Sequence, residues 1–398
     1  MEAKSKVRIV APDDPWEKIA KRMEPDKSPS LFGKILSVPR TPQLKKLMKF
    51  CIPTEEDADI CLVLDIGNKG DRPGKTPARV AQELGRKDVA RVRESLEQMA
   101  YKGVLYKEDK PGGIEEYSLG HFWEFGEGLS IIDEGTSVGR TMNELVNKYM
   151  DSGGREEWAP SDYPSFRTLM VDKPIDGESN VLTWELASNI IKANDRIAIC
   201  KCGCRIRERK CEHRTDNCFL FGGFADETVH HSTMVGANAR PVVHVTQERA
   251  LQVLKESFDE GLVATTLNHS KPEEALFICM CCKCCCHILG VYHASNTGYG
   301  TPRALAKSNF RPETDREKCN LCEKCVKDCT VNALWHHFPH KEDRSDNFIF
   351  FEDKRCIGCG ICAHLCPQGA ITMKKTENEM PEPDALTCVN RVEAERRH

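Results

Sequence analysis

The sequence has no apolar run approaching the roughly 18–20 residues that span a bilayer, so a conventional membrane-crossing helix is excluded. The opening residues, MEAKSKVRIVAPDDPW, contain no apolar core of a secretory signal, which leads us to expect a cytoplasmic protein. There is no excess of positive charge either. The formal net charge is −4 and the pI about 6.4, so no global electrostatic case exists for nucleic acid or an anionic membrane. No dinucleotide fingerprint, phosphate loop or nucleophile motif is present. GNKGDRPGKT (67–76) has glycines and Lys-Thr but not the Gly-x4-Gly-Lys-(Ser/Thr) spacing, so an enzyme with its own substrate is not indicated. The first half is also nearly free of cysteine, with only Cys51 and Cys61.

The other twenty of the 22 cysteines lie from Cys200 onward, mostly in tight clusters. In a long chain without an export signal, such clusters read as metal-binding or catalytic rather than as a disulfide framework. One stretch of the chain is the densest. ICMCCKCCCHIL (278–289) places Cys279, Cys281, Cys282, Cys284, Cys285 and Cys286 within eight positions.

The chain divides by pattern into an α+β multidomain protein. Residues 1–50 are charged and proline-broken, a lead-in with one short helix around Thr41–Phe50. Residues 51–120 hold a helix over 76–85, a second over 87–103 and a hairpin, VLYKED–KPGG–IEEYSL. The second helix shows Val89, Val92, Leu96 and Met99 on one face, and Gly103 suits its end. Residues 121–195 read as a helical connector, with a helix over 184–194 capped by Thr183. Residues 196–305 form a central α/β cysteine-rich domain. Its clearest helix, 246–262, is capped by Thr246 and turns Ala250, Leu251, Leu254 and Phe258 inward. RIAICKCGCR and ALFICMCCKCCC both run apolar residues into Cys-x-Cys, as two strands delivering thiolates to one place. Residues 311–375 contain a repeat, and 376–398 read as a polar, mobile tail.

The repeat carries the strongest signal. REKCNLCEKCVKDCTVNAL and DKRCIGCGICAHLCPQGAI both follow Cys-x2-Cys-x2-Cys-x3-Cys. Three thiolates of such a loop reach one iron–sulfur cubane, and the fourth cysteine ligates the other cluster. This assigns Cys319, Cys322, Cys325 and Cys366 to one [4Fe-4S] cluster, and Cys356, Cys359, Cys362 and Cys329 to a second. A structural zinc site fits eight cysteines in this repeat poorly. The roughly 60-residue region resembles the bacterial-type 2[4Fe-4S] ferredoxin family. It departs from that pattern at Thr330, where proline is common, and in its longer intervening segment, WHHFPHKEDRSDNFIFFED. The resemblance implies one-electron transfer.

The central cysteines leave more than one reading open. If 278–286 is extended, Cys279, Cys281 and Cys285 face one way and Cys282, Cys284 and Cys286 the other. CKCGCRIRERKCEHRTDNCFLFGG (200–223) adds five thiols. The expected ligands of a further centre are Cys202, Cys204, Cys211 and Cys218, with Cys281, Cys282 and Cys284 competing. The centre is a further iron–sulfur cluster or zinc, and redox-active or merely packed thiols are the alternatives. Arg205 either offsets thiolate charge or is a surface residue. His213, His230, His231, His269 and His287 read as structural, and His336, His337 and His340 as exposed loop residues. Cys202, Cys204 and Arg205, then Cys211, Cys218, Phe219, Phe221 and Gly222, then Gly261–Val263 and Cys281–Cys286 resemble a family of longer ferredoxin-type proteins of anaerobic bacteria and archaea. That family adds little mechanism, being known mainly as expected electron carriers.

Helix, turn, helix and hairpin over 51–120 resemble a winged-helix domain. Residues 72–110 carry a local excess of four positive charges, but Asp88, Glu94 and Glu97 share the helix with Lys87, Arg91 and Arg93. Docking to a protein is therefore expected ahead of DNA binding. The sequence points to an electron-transfer protein serving a partner oxidoreductase. The alternative is a redox-sensing winged-helix regulator.

Overall fold

The computed structural model describes residues 14–24, 38, 40–66, 74–120, 133–154, 159, 161–172, 175, 180–235, 239–290, 305–338 and 346–396. Residues 67–73 of GNKGDRPGKT, and His340, lie outside these. The chain forms two compact units, residues 1–154 with 234–238 and residues 155–233 with 239–398.

The first unit is built from short capped helices and one hairpin. Thr41, Thr54, Thr76 and Asp88 each accept a backbone N–H of the helix they precede, which satisfies a donor the first turn leaves open. The two expected helices are Pro77–Glu83 and Val89–Tyr101. Val92, Leu96 and Met99 of the second are buried, whereas Val89, in its first turn, is exposed. The hairpin pairs β1 (Leu105–Lys110) with β2 (Ile114–Leu119), Leu105 opposite Leu119. Gly112 and Gly113 take positive φ at its tip, a backbone that side chains resist. Residues 1–50 are more than a lead-in. Helices Pro15–Arg22 and Pro42–Cys51 contribute buried Trp16, Ile19, Leu44 and Leu47, and Trp16 Nε1 donates to the Ile52 carbonyl at 2.8 Å.

The second unit holds a seven-stranded sheet in the order β6-β4-β5-β8-β7-β3-β9. These strands are β3 (Phe166–Thr168), β4 (Ile197–Lys201), β5 (Asp216–Phe221), β6 (Val243–Val245), β7 (Val263–Leu267), β8 (Phe277–Cys281) and β9 (Leu305–Ala306). Every pair is antiparallel except β3–β9. All of β7 is buried, as befits a strand covered on both faces. Helix Gln247–Asp259, capped by Thr246, packs on the sheet with Ala250, Val253, Leu254 and Phe258; Leu251, expected inward, is only half-buried.

Three expectations need correction in this unit. The expected connector 121–195 is split: helix Ser137–Tyr149 belongs to the first unit, while β3 joins the central sheet. Thr183 caps no α-helix, because it opens a single 3-10 turn and helix Ala187–Lys192 starts after Leu186 without a side-chain cap. The expected tail contains helix Ala385–Ala394, capped by Asp384, with Cys388, Val389 and Val392 fully buried. Its lead-in is fastened too: the Ser270 N–H donates to the Glu382 carbonyl at 2.8 Å.

The cysteine repeat adds two small sheets. β10 (Phe310–Thr314) pairs with β13 (Ile371–Lys375), and β11 (Leu334–His337) with β12 (Phe348–Phe351). His336 and His337 are thus strand residues. His336 Nδ1 lies 2.6 Å from the Glu323 carboxylate.

Candidate metal centres

The two halves of the repeat adopt one backbone. Gly358, Gly360 and Gly369 have positive φ in the second half, and Leu321, Glu323 and Asn332 have positive φ at the matching positions of the first. A leucine and a glutamate in the left-handed region are strained. Their presence means the loop shape, not the residue type, is being kept. Each loop then enters a four-residue helix, Lys324–Lys327 or Ile361–His364.

This geometry gathers thiols from both halves. Cys319, Cys322, Cys325 and Cys366 line one cavity, walled by Ile349 and Ile371. Burial and the neighbouring Cys319, Cys366 and Cys322 push the Cys325 thiol up to about 11. Cys356, Cys359, Cys362 and Cys329 form the other group. Burial raises Cys362 well above the ordinary thiol range, and Cys359, Cys356 and Cys329 act on it in the same sense. Burial likewise lifts Cys356 to about 11. Amide hydrogens face the sulfurs: Ala333 N–H donates to Cys329 Sγ at 3.1 Å, Ala370 N–H to Cys366 Sγ at 3.3 Å and Gly358 N–H to Cys356 Sγ at 3.3 Å. Crowded, half-buried thiols resist ionising without a cation. Sulfur-directed amides and apolar walls suit iron–sulfur clusters, so the donor set fits.

The central thiols divide differently from expectation. β4 and β8 flank β5, so the two Cys-x-Cys ends do converge. β8 stops at Cys281, however, and the backbone turns at 283–285, so the alternation expected over 278–286 ends there. Cys211, Cys282, Cys284 and Cys285 come together with all four Sγ atoms within 4.8 Å of one another. Cys285, not among the expected ligands, joins because the turn brings it back beside Cys211.

Cys202, Cys204, Cys218 and Cys281 are not in this group. Cys202 contacts both Cys204 and Cys218. The hydrogen bond with Cys204 lowers its thiol, but the bond with Cys218 and burial outweigh that and push it up to about 12. Cys281 accepts from Cys286 at 3.1 Å, deep in the sheet. Arg205 is buried, which settles the choice between surface and interior. It donates to the Met280 carbonyl at 2.6 Å and to Asn217 Oδ1, and it contacts Cys282. His287 is fully buried with Nε2 3.2 Å from Glu208, a structural pairing.

Among known proteins, the 4Fe-4S binding domain family matches residues 349–372. Pyruvate synthase subunit PorD of Methanocaldococcus jannaschii is 41% identical over 68 residues, 17% of this chain and 71% of that one. The delta subunit of NADH-dependent phenylglyoxylate dehydrogenase of Aromatoleum evansii is 38% identical over 60 residues, 15% of this chain and 56% of that one. An archaeal-type NADPH glutamate synthase of Thermotoga maritima is 34% identical over 68 residues, 17% of this chain, and the match spans only 12% of that relative's length. No solved structure matches the chain. Among the described residues, no helix is long and apolar enough to cross a membrane. On the repeat, its paired thiol groups and these matches, the protein belongs to the family of iron–sulfur proteins that carry the ferredoxin-type 4Fe-4S binding domain.

Proposed function

We propose that this protein is an electron-transfer component of an oxidoreductase system, passing single electrons through two [4Fe-4S] clusters to or from a partner protein. The observation that carries this reading is the pairing of thiols across the repeat. Cys319, Cys322, Cys325 and Cys366 would hold one cluster, and Cys356, Cys359, Cys362 and Cys329 the other. Each cluster supplies a one-electron couple when bound. The protein's own part is to hold the sulfurs, aim N–H groups at them and exclude water. Amides at Ala333, Gly358 and Ala370 stabilise negative charge on sulfur, while Ile349 and Ile371 keep the first site dry. The central thiols form a further metal centre.

The first unit, with its winged-helix resemblance, serves as the docking module. Four of its arginines are engaged within the fold. Arg91 pairs with Glu56 at 2.6 Å, Arg79 with Glu83 at 3.1 Å, Arg86 with Asp59 at 3.4 Å, and Arg93 with Glu115. Phosphate neutralisation needs free cations, so these pairs favour a protein partner over duplex DNA.

Protein purified without oxygen should contain about eight irons and eight sulfides in its two clusters, bleach on dithionite reduction and reduce a ferredoxin-dependent acceptor protein. Zinc in place of that iron, or irons that cannot be reduced, would sink the proposal. Sequence-dependent DNA binding that survives high salt would favour the redox-sensing regulator instead.

A further inference from the structure

We propose that Cys211, Cys282, Cys284 and Cys285 hold one tetrahedral zinc ion, a clasp separate from the electron path. This deepens the reading of a central metal centre and does not depend on the two clusters. The Sγ–Sγ distances are 3.6 Å for Cys211–Cys285, 3.8 Å for Cys284–Cys285 and 4.0 Å for Cys211–Cys282. A tetrahedral zinc with Zn–S bonds of about 2.3 Å sets its sulfurs about 3.8 Å apart. A cubane carries each thiolate outward from a separate iron, so its four sulfurs stand wider than the cube itself. The quartet is too narrow for that and suits a single ion. Among the described residues, neither ferredoxin thiol group is drawn in so closely.

The surroundings agree with a four-thiolate ion. Such a site is doubly negative, and the buried Arg205 guanidinium contacts Cys282. Cys211 comes from the loop before β5, and the other three come from the turn after β8. One ion therefore ties the loop before β5 to the turn after β8, beyond the last paired residues of those two strands. Zinc has no redox couple, so the site stabilises the sheet end without accepting electrons.

Metal analysis of the anaerobic full-length protein tests this. About one zinc per chain, beside the cluster iron, is expected. Cys285→Ser should lose the zinc and keep the iron. Cys285→His should keep a metal, and its cobalt-substituted form should show a shifted ligand-field spectrum. Cys218→Ser should leave zinc unchanged. A third cluster's worth of extra iron with no zinc would overturn the proposal, as would zinc retained in Cys285→Ser. Failure of the electron-transfer reading would appear separately, in the cluster iron.

A different observation carries a second inference. A cavity of about 420 Å³ lies where β3 and the 305–309 segment meet, lined by Arg167, Trp184, Asn268, Lys307, Asn309 and Glu379 among others. Arg167 is 4% exposed. It donates to the Trp184 carbonyl and lies over the Trp184 ring, but its Nε–H has no partner among the described residues. Neither Arg167 nor Lys307 has a carboxylate within ion-pair distance among the described residues; the Lys307 ammonium donates to the Asp353 and Lys354 carbonyls at 3.0 and 2.9 Å, which leaves its charge unneutralised. By contrast, Glu185 is paired with Lys375 at 3.0 Å, and Arg391 with Glu382 and Glu395. A buried guanidinium left half-satisfied at a cavity of ligand size is a receptor for an anion. Asp162 and Glu379 also line the space and would repel a polyanion such as a phosphate ester. The geometry points to a small organic carboxylate as the ligand. Its wall touches the second cluster loop, since Ser308 Oγ donates to the Gly358 carbonyl at 2.6 Å.

Calorimetric titration of the loaded full-length protein with acetate, succinate and benzoate, with succinamide as the neutral control, tests this. At least one carboxylate should bind saturably and the amide should not. Arg167→Lys and Lys307→Met should each weaken binding, the first by about tenfold or more. The bound acid should also alter the spectrum of the second cluster. No saturable binding at millimolar concentration, or equal affinity in folded Lys307→Met and wild type, would overturn it.

Discussion

The guanidinium of Arg205 donates to the main-chain carbonyl of Met280 at 2.6 Å, in the strand that delivers the densest cysteines of the sequence. The same side chain holds Asn217 of β5, whose Nδ2 donates to Ser257 Oγ at 3.1 Å. One buried cation thus ties two strands and the 247–259 helix together beside the thiols. Arg205→Ala would leave the Met280 and Asn217 oxygens buried without partners, at about 1–3 kcal/mol each. We expect a loss of about 3–5 kcal/mol, read as a lower anaerobic thermal midpoint. Arg205→Lys should recover only part of it. A midpoint unchanged in Arg205→Ala would show the cation to be dispensable.

The crossed thiol groups predict a pattern of iron loss. Cys319→Ser with Cys366→Ser removes two ligands of one cluster and should leave about four irons. Cys319→Ser with Cys329→Ser strikes both and should leave almost none. If each motif served its own cluster, the two double variants would exchange these results.

Gly358 should accept no side chain. Its φ is +71°, and an added Cβ would run into Ser308 Oγ and the Phe310 carbonyl oxygen. The carbonyl belongs to a paired strand and cannot move aside. Gly358→Ala should cost more than about 1 kcal/mol in backbone strain alone. It should lower iron by about half, since only one loop is affected. Gly369→Ala, where nothing lies within 4 Å of the added atom, should cost less and keep the iron.

His269 should make stability fall in mild acid. Burial, reinforced by Arg167, depresses its imidazole to about 4, and both ring nitrogens lack partners among the described residues. The unfolded chain protonates near pH 6.5 while the folded protein stays neutral there, so stability is full above that value and declines as pH falls from about 6.5 towards 4. Between pH 6.5 and 5.5 the loss should be about 1 kcal/mol. His269→Gln should flatten this slope in denaturant titrations, and a slope identical to wild type would show that another group sets it.

The cysteine repeat is legible because its chemistry is written as spacing: three thiols, each separated from the next by two residues, can reach one cubane wherever the loop lies. The central quartet is not, because Cys211 is far in sequence from Cys282 and the bend at 283–285 is a tertiary fact. Alternation along a strand puts Cys285 on the wrong side. Arg205 sits in an arginine-rich run, and only the fold distinguishes it from Arg207 and Arg209. The 385–394 helix has its signals in the sequence, since Asp384 is a cap and Ala385, Cys388, Val389 and Val392 fall at helical spacing. The polar residues on either side mask them. The paired strands of the hairpin and the 247–259 helix follow directly from turn residues and apolar periodicity.

Helix Ala385–Ala394 lies beyond the ferredoxin region in sequence but returns to residues before it: Arg391 stacks over Tyr163, and Cys388 reaches the Ser165 carbonyl. The cysteine-repeat region is therefore an insertion within a larger body rather than an appendage. During synthesis, both cysteine motifs leave the ribosome before this helix can pack. Cluster assembly consequently has a period in which the loops are accessible and the body around them is unfinished. A protein in which that helix is made but cannot dock would leave Tyr163 without Arg391 and the Ser165 carbonyl without Cys388, with both cysteine loops already made.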